Sequence, residues 1–223
     1  MDLVLVLITI TISLIAYFYI NNIFTKYKKK KASCELSGFE VARKILDKYD
    51  LNEVYITEVK GKYSDNYNDD RKVVRLSKNI FHGNSITSIG VAAYHSVYAV
   101  EDHDKKPFYK YRSIYYKVAN FLALLGLLFI VFGIFFDLKR YNIILLGIVF
   151  EIITLLMYLL TLKVEFECAR RTLDELLDLS IIRKEENDSI KSVLAACCYK
   201  NIAFLVNNIT EFFITVYHFG KSD

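Results

Sequence analysis

Tryptophan is missing from these 223 residues, and proline occurs once, at Pro107. No Gly/Ser linker, internal repeat or low-complexity tract interrupts the chain apart from one lysine cluster, so its organisation has to be read from alternating apolar and polar segments. The four cysteines, Cys34, Cys168, Cys197 and Cys198, form no C-x-x-C pair, so the metal and redox spacings built on that pair are absent. Cys197 and Cys198 are neighbours on a helix, a poor geometry for a disulfide. Packing is the reading for all four. The net charge of +4 is modest, and no basic stripe interleaved with aromatics accompanies it, so no nucleic-acid partner is expected. The first apolar run lacks a basic n-region and an A-x-A-like cleavage site, which points to a retained anchor over a signal peptide.

What the chain does have is apolar residues, 54% of the total. Residues 3–20 (LVLVLITITISLIAYFYI) carry no charge and can cross a hydrocarbon core of about 30 Å. Residues 118–136 and 142–160 are a second and a third candidate span, the latter containing Glu151. Residues 201–219 are weaker because Asn207, Asn208 and Glu211 fall mid-segment, and form a fourth span or a helix lying on the membrane. KYKKKK at 26–31 follows the first run directly and assigns that end to the cytoplasm. Two more crossings return Lys163, Arg170 and Arg171 to the same side, leaving only DLKRY (137–141) outside. The polar segments, about 26–117 and 163–200, then share one compartment, where the cysteines stay reduced. The lipid bilayer is the expected partner, with the lysines drawn to its anionic headgroups.

Within the polar segments, SGFEVARKILDKYDL (37–51) opens with Ser37 and has Glu40 three residues on, the signature of a capping box, and Val41, Ala42, Ile45, Leu46 and Tyr49 recur at helical spacing. VYITEV (54–59) and KVVRLS (72–77) have strand composition, and the turn-rich GKYSDNYNDD between them predicts a hairpin or a two-stranded edge. A helix of small residues over 85–100 is capped by Ser85, and a long polar helix is expected at about 164–182.

This order of segments resembles the YugP-type membrane neutral zinc metallopeptidases along nearly the whole chain. The resemblance rests on SGFEVARKIL, the G-x-x-S-D-N-Y turn at 61–67 and VVRLS at 73–77. It continues through S-I-x-x-I-x-V-A-A at 85–93, YRS at 111–113, VAN at 118–120, and VEF with the following acidic residue and RR at 164–171. It implies an α+β fold: a mostly helical membrane protein with three or four transmembrane helices and a small cytoplasmic zincin-like helix/strand domain. The implied divisions are an anchor at 1–25, a cytoplasmic peptidase-like domain at 26–117 and a transmembrane hairpin at 118–162. Helices at 163–200 complete the domain, and 201–223 hold the fourth membrane segment and tail.

In that family the central helix carries V-A-A-H-E-V-G-H-A. Two histidines four apart hold zinc, the glutamate between them takes a proton from the metal-bound water, and a later glutamate in V-E-F-D is the third ligand. Overlaid without a gap, this chain has Val91, Ala92, Ala93 and Ala99 on the flanks, and Tyr94, His95, Ser96, Val97 and Tyr98 in the core. Tyr94 and Tyr98 replace the ligand histidines, His95 occupies the general-base position, and Glu165 retains the third-ligand position, with Glu167 where the family has Asp. A shift by one makes His95 the first ligand but leaves Ser96 as base and Ala99 as second ligand.

Imidazole binds zinc at neutral pH, whereas a phenol with pKa about 10 must first lose its proton. Without zinc, no bound water reaches a pKa near 7 for His95 to use. The expectation is a non-catalytic pseudopeptidase that needs no cofactor and acts as a scaffold or as partner of an active paralogue or another membrane protein. The alternative is an active zinc endopeptidase with unconventional ligands. A different metal site from His95, Glu101, Asp102 and His103 would need the helix to run through VEDHDKK, where a polar loop is expected. His82 and His218 read as surface residues. The Tyr94 and Tyr98 hydroxyls either hydrogen-bond Glu165, or that carboxylate pairs with Arg112 or Arg170 or meets water. A transport component using Glu151, Asn207, Asn208 and Glu211 is the third reading, weighed against plain helix–helix hydrogen bonding.

Overall fold

The computed structural model describes residues 2–62, 64–104, 107–135 and 143–199. It is mostly helical with one small sheet, an α+β arrangement. The expected fourth apolar segment (201–219, with Asn207, Asn208, Glu211 and His218) and the connection at 137–141 lie outside the described residues.

In chain order the elements begin with α1 (Asp2–Lys28), α2 (Gly38–Lys48), β1 (Tyr55–Val59), β2 (Asn66–Asn68) and β3 (Val73–Ser77). They continue with α3 (Lys78–Phe81), α4 (Ile86–His103), α5 (Pro107–Phe135) and α6 (Ile143–Asp178), and end with a helix described over 187–199, α7. The chain divides into two compact units, and α1, α5 and α6 contribute residues to both.

One unit comprises Met1–Tyr17, Tyr111–Lys163 and Lys200–Asp223. Pro107 opens α5, where a missing N–H costs no helical bond. Helices α5 and α6 come together where neither has a side chain: a Cβ on Gly147 would stand 2.8 Å from the Gly126 carbonyl oxygen, and one on Gly126 would stand 2.9 Å from a Glu151 carboxylate oxygen. Further along the same pair, the Tyr158 hydroxyl donates to Asn120 Oδ1 at 2.6 Å. Away from this seam Phe121, Leu124, Leu128, Leu156 and Leu160 are exposed, which suits lipid as their surroundings. Among the described residues, Ile114–Gly133 and Ile143–Asp178 are helices long and apolar enough to cross a membrane. Three or four spans were expected; residues 3–20 fall within α1.

The second unit comprises Phe18–Lys110 and Val164–Tyr199. Helix α2 starts as its sequence requires: Ser37 Oγ accepts from the Glu40 N–H while the Glu40 carboxylate accepts from the Ser37 N–H, and Val41, Ala42, Ile45 and Leu46 are buried. Ser85 likewise caps α4 by accepting from the Ser88 N–H. From Ile86 to Glu101 every α4 residue except His95 is buried, making it the central helix of this unit. Small residues allow that. A Cβ on Gly90 would lie 2.9 Å from Val193 Cγ1 of α7, so glycine is what lets the two helices touch.

Four expectations need correction. The strands do not form a simple hairpin: β3 is central, paired in parallel with β1 and antiparallel with β2. The turn-rich stretch contains β2 itself, and its length lets the chain cross β3 before returning along it. The third apolar segment and the polar helix after it are one helix, α6, because a change of environment along the chain does not break backbone hydrogen bonds. That helix stops at Asp178, short of 182, where Ser180 takes φ 53° and the Ile181 N–H closes back on the Leu176 carbonyl. Finally, α4 continues through Glu101, Asp102 and His103, where a loop was expected, because the charged side chains find partners on neighbouring elements.

Candidate functional site

Tyr94 and Tyr98 are one helical turn apart on α4, so both rings leave the same face, toward α6. There they meet Glu165. The Tyr94 hydroxyl donates to Glu165 Oε2 at 2.6 Å, and the Tyr98 hydroxyl donates to the same oxygen. The hydroxyl oxygens are 3.1 Å apart, and the rings pack edge to face with centroids 5.0 Å apart. Glu165 is completely buried, and both tyrosines nearly so. A carboxylate taken out of water needs donors, and two phenols supply them here.

Cys198 of α7 completes the cluster. Its Sγ lies 3.8 Å from the Tyr94 hydroxyl and donates to the Glu165 backbone carbonyl at 3.5 Å. Burial pushes this thiol up to about 11, with the Glu165 charge adding to the effect. Burial also holds the Tyr94 phenol well above its ordinary value, and its neighbours Tyr98 and Glu165 push the same way. Both groups therefore keep their protons at neutral pH.

These donors do not fit zinc. Bonds of about 2.0 Å in a tetrahedral site hold ligand atoms about 3.3 Å apart. The Tyr94–Glu165 oxygen pair stands at 2.6 Å, held by the proton that the Tyr94 hydroxyl donates. A phenol and a thiol that keep their protons are also poor ligands. Among the described residues, no group of three His, Cys, Asp or Glu side chains could hold a metal ion.

The other candidates fall elsewhere. His95 is half-buried, its ring 5.4 Å from that of Tyr94 and 6.2 Å from that of Tyr98. Glu167 and Arg170 are exposed on α6, and the side chain of Arg112 lies outside the described residues. His103 faces Asp104 at 3.7 Å, Asp102 accepts from the Tyr67 hydroxyl, and His82 pairs with Glu58 at 2.7 Å. Glu151 lies in the other unit against Gly126. Sequence reading missed two participants. The sequence reads Cys198 as packing, and Arg171 as a topology signal and part of the RR of the family resemblance, neither of them as part of a site. Arg171 donates to Glu101 at 2.6 Å and to Asp104 at 2.9 Å, and its guanidinium lies 5.3 Å from the centre of the Tyr49 ring.

The comparisons with known proteins agree with the segment order. A family model described as "Putative neutral zinc metallopeptidase" matches residues 2–219. The chain is 30% identical over 210 residues to "Putative membrane protease YugP" of Bacillus subtilis (strain 168), covering 93% of this chain and 92% of that protein. No solved structure matches.

Proposed function

Since this chain belongs to the neutral zinc metallopeptidase family, we propose that it is a membrane-embedded pseudopeptidase, a member that keeps the peptidase-like unit but does not hydrolyse peptide bonds. One observation carries this reading: the two side chains at the ligand-histidine positions are hydrogen-bond donors to Glu165, so that the carboxylate is satisfied by protons where relatives would use a cation. His95, at the position of the general base, then has no metal-bound water to deprotonate.

The apolar helices and the lysines after residue 25 support a multi-pass protein in the cell membrane, with residues 26–117 and 163–200 on the cytoplasmic side. A domain retained without its chemistry serves by binding, as a scaffold or as the partner of an active paralogue or other membrane protein. The test is peptide cleavage by the protein purified in detergent with zinc supplied. We expect none from the natural chain. Cleavage abolished by a chelator and by Glu165→Gln would instead support the reading as a zinc endopeptidase with unconventional ligands.

A further inference from the structure

Resting on the membrane reading above, we propose that the loop between β1 and β2 is a docking surface for the phosphate headgroups of anionic phospholipids. The loop carries Lys60 and Lys62 on either side of Gly61, and all three residues are exposed. Gly61 has φ 108°, a backbone conformation that L side chains rarely adopt and that glycine enters freely.

The loop is fixed in height along α1. Lys62 Nζ donates to Asn21 Oδ1 at 2.5 Å. Asn21 directly follows the uncharged run 3–20, so this bond sets the lysines where α1 passes from hydrocarbon to headgroup. Exposed aromatics mark the same level. Phe18 and Tyr19 lie on α1 beside Asn21, and the Tyr19 ring meets that of Tyr199 edge to face with centroids 5.1 Å apart. Tyr19 and Tyr199 are both well exposed despite that contact. Aromatic rings with one polar edge, next to lysines, are the side chains that settle at a bilayer interface.

Charge selects the occupant. Of the acidic side chains flanking the loop in sequence, Glu58 is exposed but pairs with His82 at 2.7 Å, and the buried Asp65 carboxylate accepts the Ser77 N–H at 2.6 Å. The exposed Lys26, Lys28, Lys29 and Lys31 of the same unit add positive charge further along the α1 end. An ammonium has three donors, so a lysine can serve more than one acceptor at a time. A tethered loop of this kind would hold the peptidase-like unit at a set height over the lipid, beyond what the span itself specifies.

Full-length protein in nanodiscs of phosphatidylcholine, and of phosphatidylcholine mixed with phosphatidylglycerol, supplies the test. Amine-reactive labelling read by mass spectrometry should slow at Lys60 and Lys62 by about fivefold in the anionic discs, the attraction of one basic side chain near such a surface. Exposed Lys44 on α2 is the control and should be unchanged, and Lys60→Gln with Lys62→Gln should retain less phosphatidylglycerol on purification. Equal labelling in both discs, or equal slowing of Lys44, overturns the loop proposal. Retention in carbonate-washed membranes checks the underlying reading separately: retention with equal labelling removes the loop alone, and release removes both.

Discussion

Arg171 Nη1 donates to Glu101 Oε1 across 2.6 Å, fastening α6 to α4 a second time, beyond the point where Glu165 takes the two tyrosine hydroxyls. Both side chains are largely buried, Glu101 at 7% exposure and Arg171 at 18%. Removing one partner therefore weakens a charge pair held largely out of water. Arg171→Met should cost about 3 kcal/mol of stability, more than Arg170→Met on the exposed side of the same helix. Thermal unfolding of the two variants in detergent checks the ranking.

The tyrosine–glutamate cluster makes its own prediction. Tyr94→Phe or Tyr98→Phe each deprives Glu165 of a donor without changing the ring, and each should cost about 1–3 kcal/mol. The triple change Tyr94→Phe, Tyr98→Phe, Glu165→Leu removes donors and acceptor together and should be less destabilised than the sum of the single changes. Additive losses would mean that the hydroxyls and the carboxylate act independently.

Glu186 gives the pH dependence. It is buried, which opposes ionisation, but N–H donors from Arg183 and Ser33 and the Ser33 hydroxyl outweigh this and hold its carboxyl below the ordinary value of 4.5. A lowered carboxylate pKa stabilises the fold above the unfolded value, and that contribution disappears as pH falls through the folded one. Stability should accordingly decline below about pH 4.5. Ser33→Ala should remove about 1 kcal/mol at neutral pH and make the acid loss smaller. Unfolding midpoints between pH 3 and 7 measure both.

The helix seam in the apolar unit tolerates no side chain. Gly147→Leu would drive carbon into the Gly126 carbonyl and Ile130, and should cost about 1–3 kcal/mol or separate the helices. Leu145→Ala on the exposed side is the control, and its expected effect is much smaller. Protease resistance of the α5–α6 region in membranes distinguishes the two.

Both helix caps in the second unit were legible because Ser37, Glu40 and Ser85 act on their own local backbone. The approach of Tyr94 and Tyr98 to Glu165 was legible as one of several options, through resemblance to a site whose ligands lie at those positions. Long-range pairing was not. Asn66, Tyr67 and Asn68 have turn composition and become strand only because β3 offers them an edge. The continuity of α6 was hidden because a shift from apolar to charged residues reads as a boundary in sequence, though the helix runs through it. Arg171 and Cys198 were invisible as site members for a simpler reason: nothing local to either says which residues of α4 they will face.

The central claim is that protons replace a metal between α4 and α6, and metal stoichiometry tests it most directly. Purified natural chain and the variant Tyr94→His, His95→Glu, Tyr98→His should be dialysed against zinc and assayed by mass spectrometry of the metal. The account predicts no tightly held zinc in the natural chain and about one per molecule in the variant, whose two restored histidines join Glu165 around the ion while the restored glutamate stands as the base. One zinc per natural chain, lost on Glu165→Ala, would contradict it.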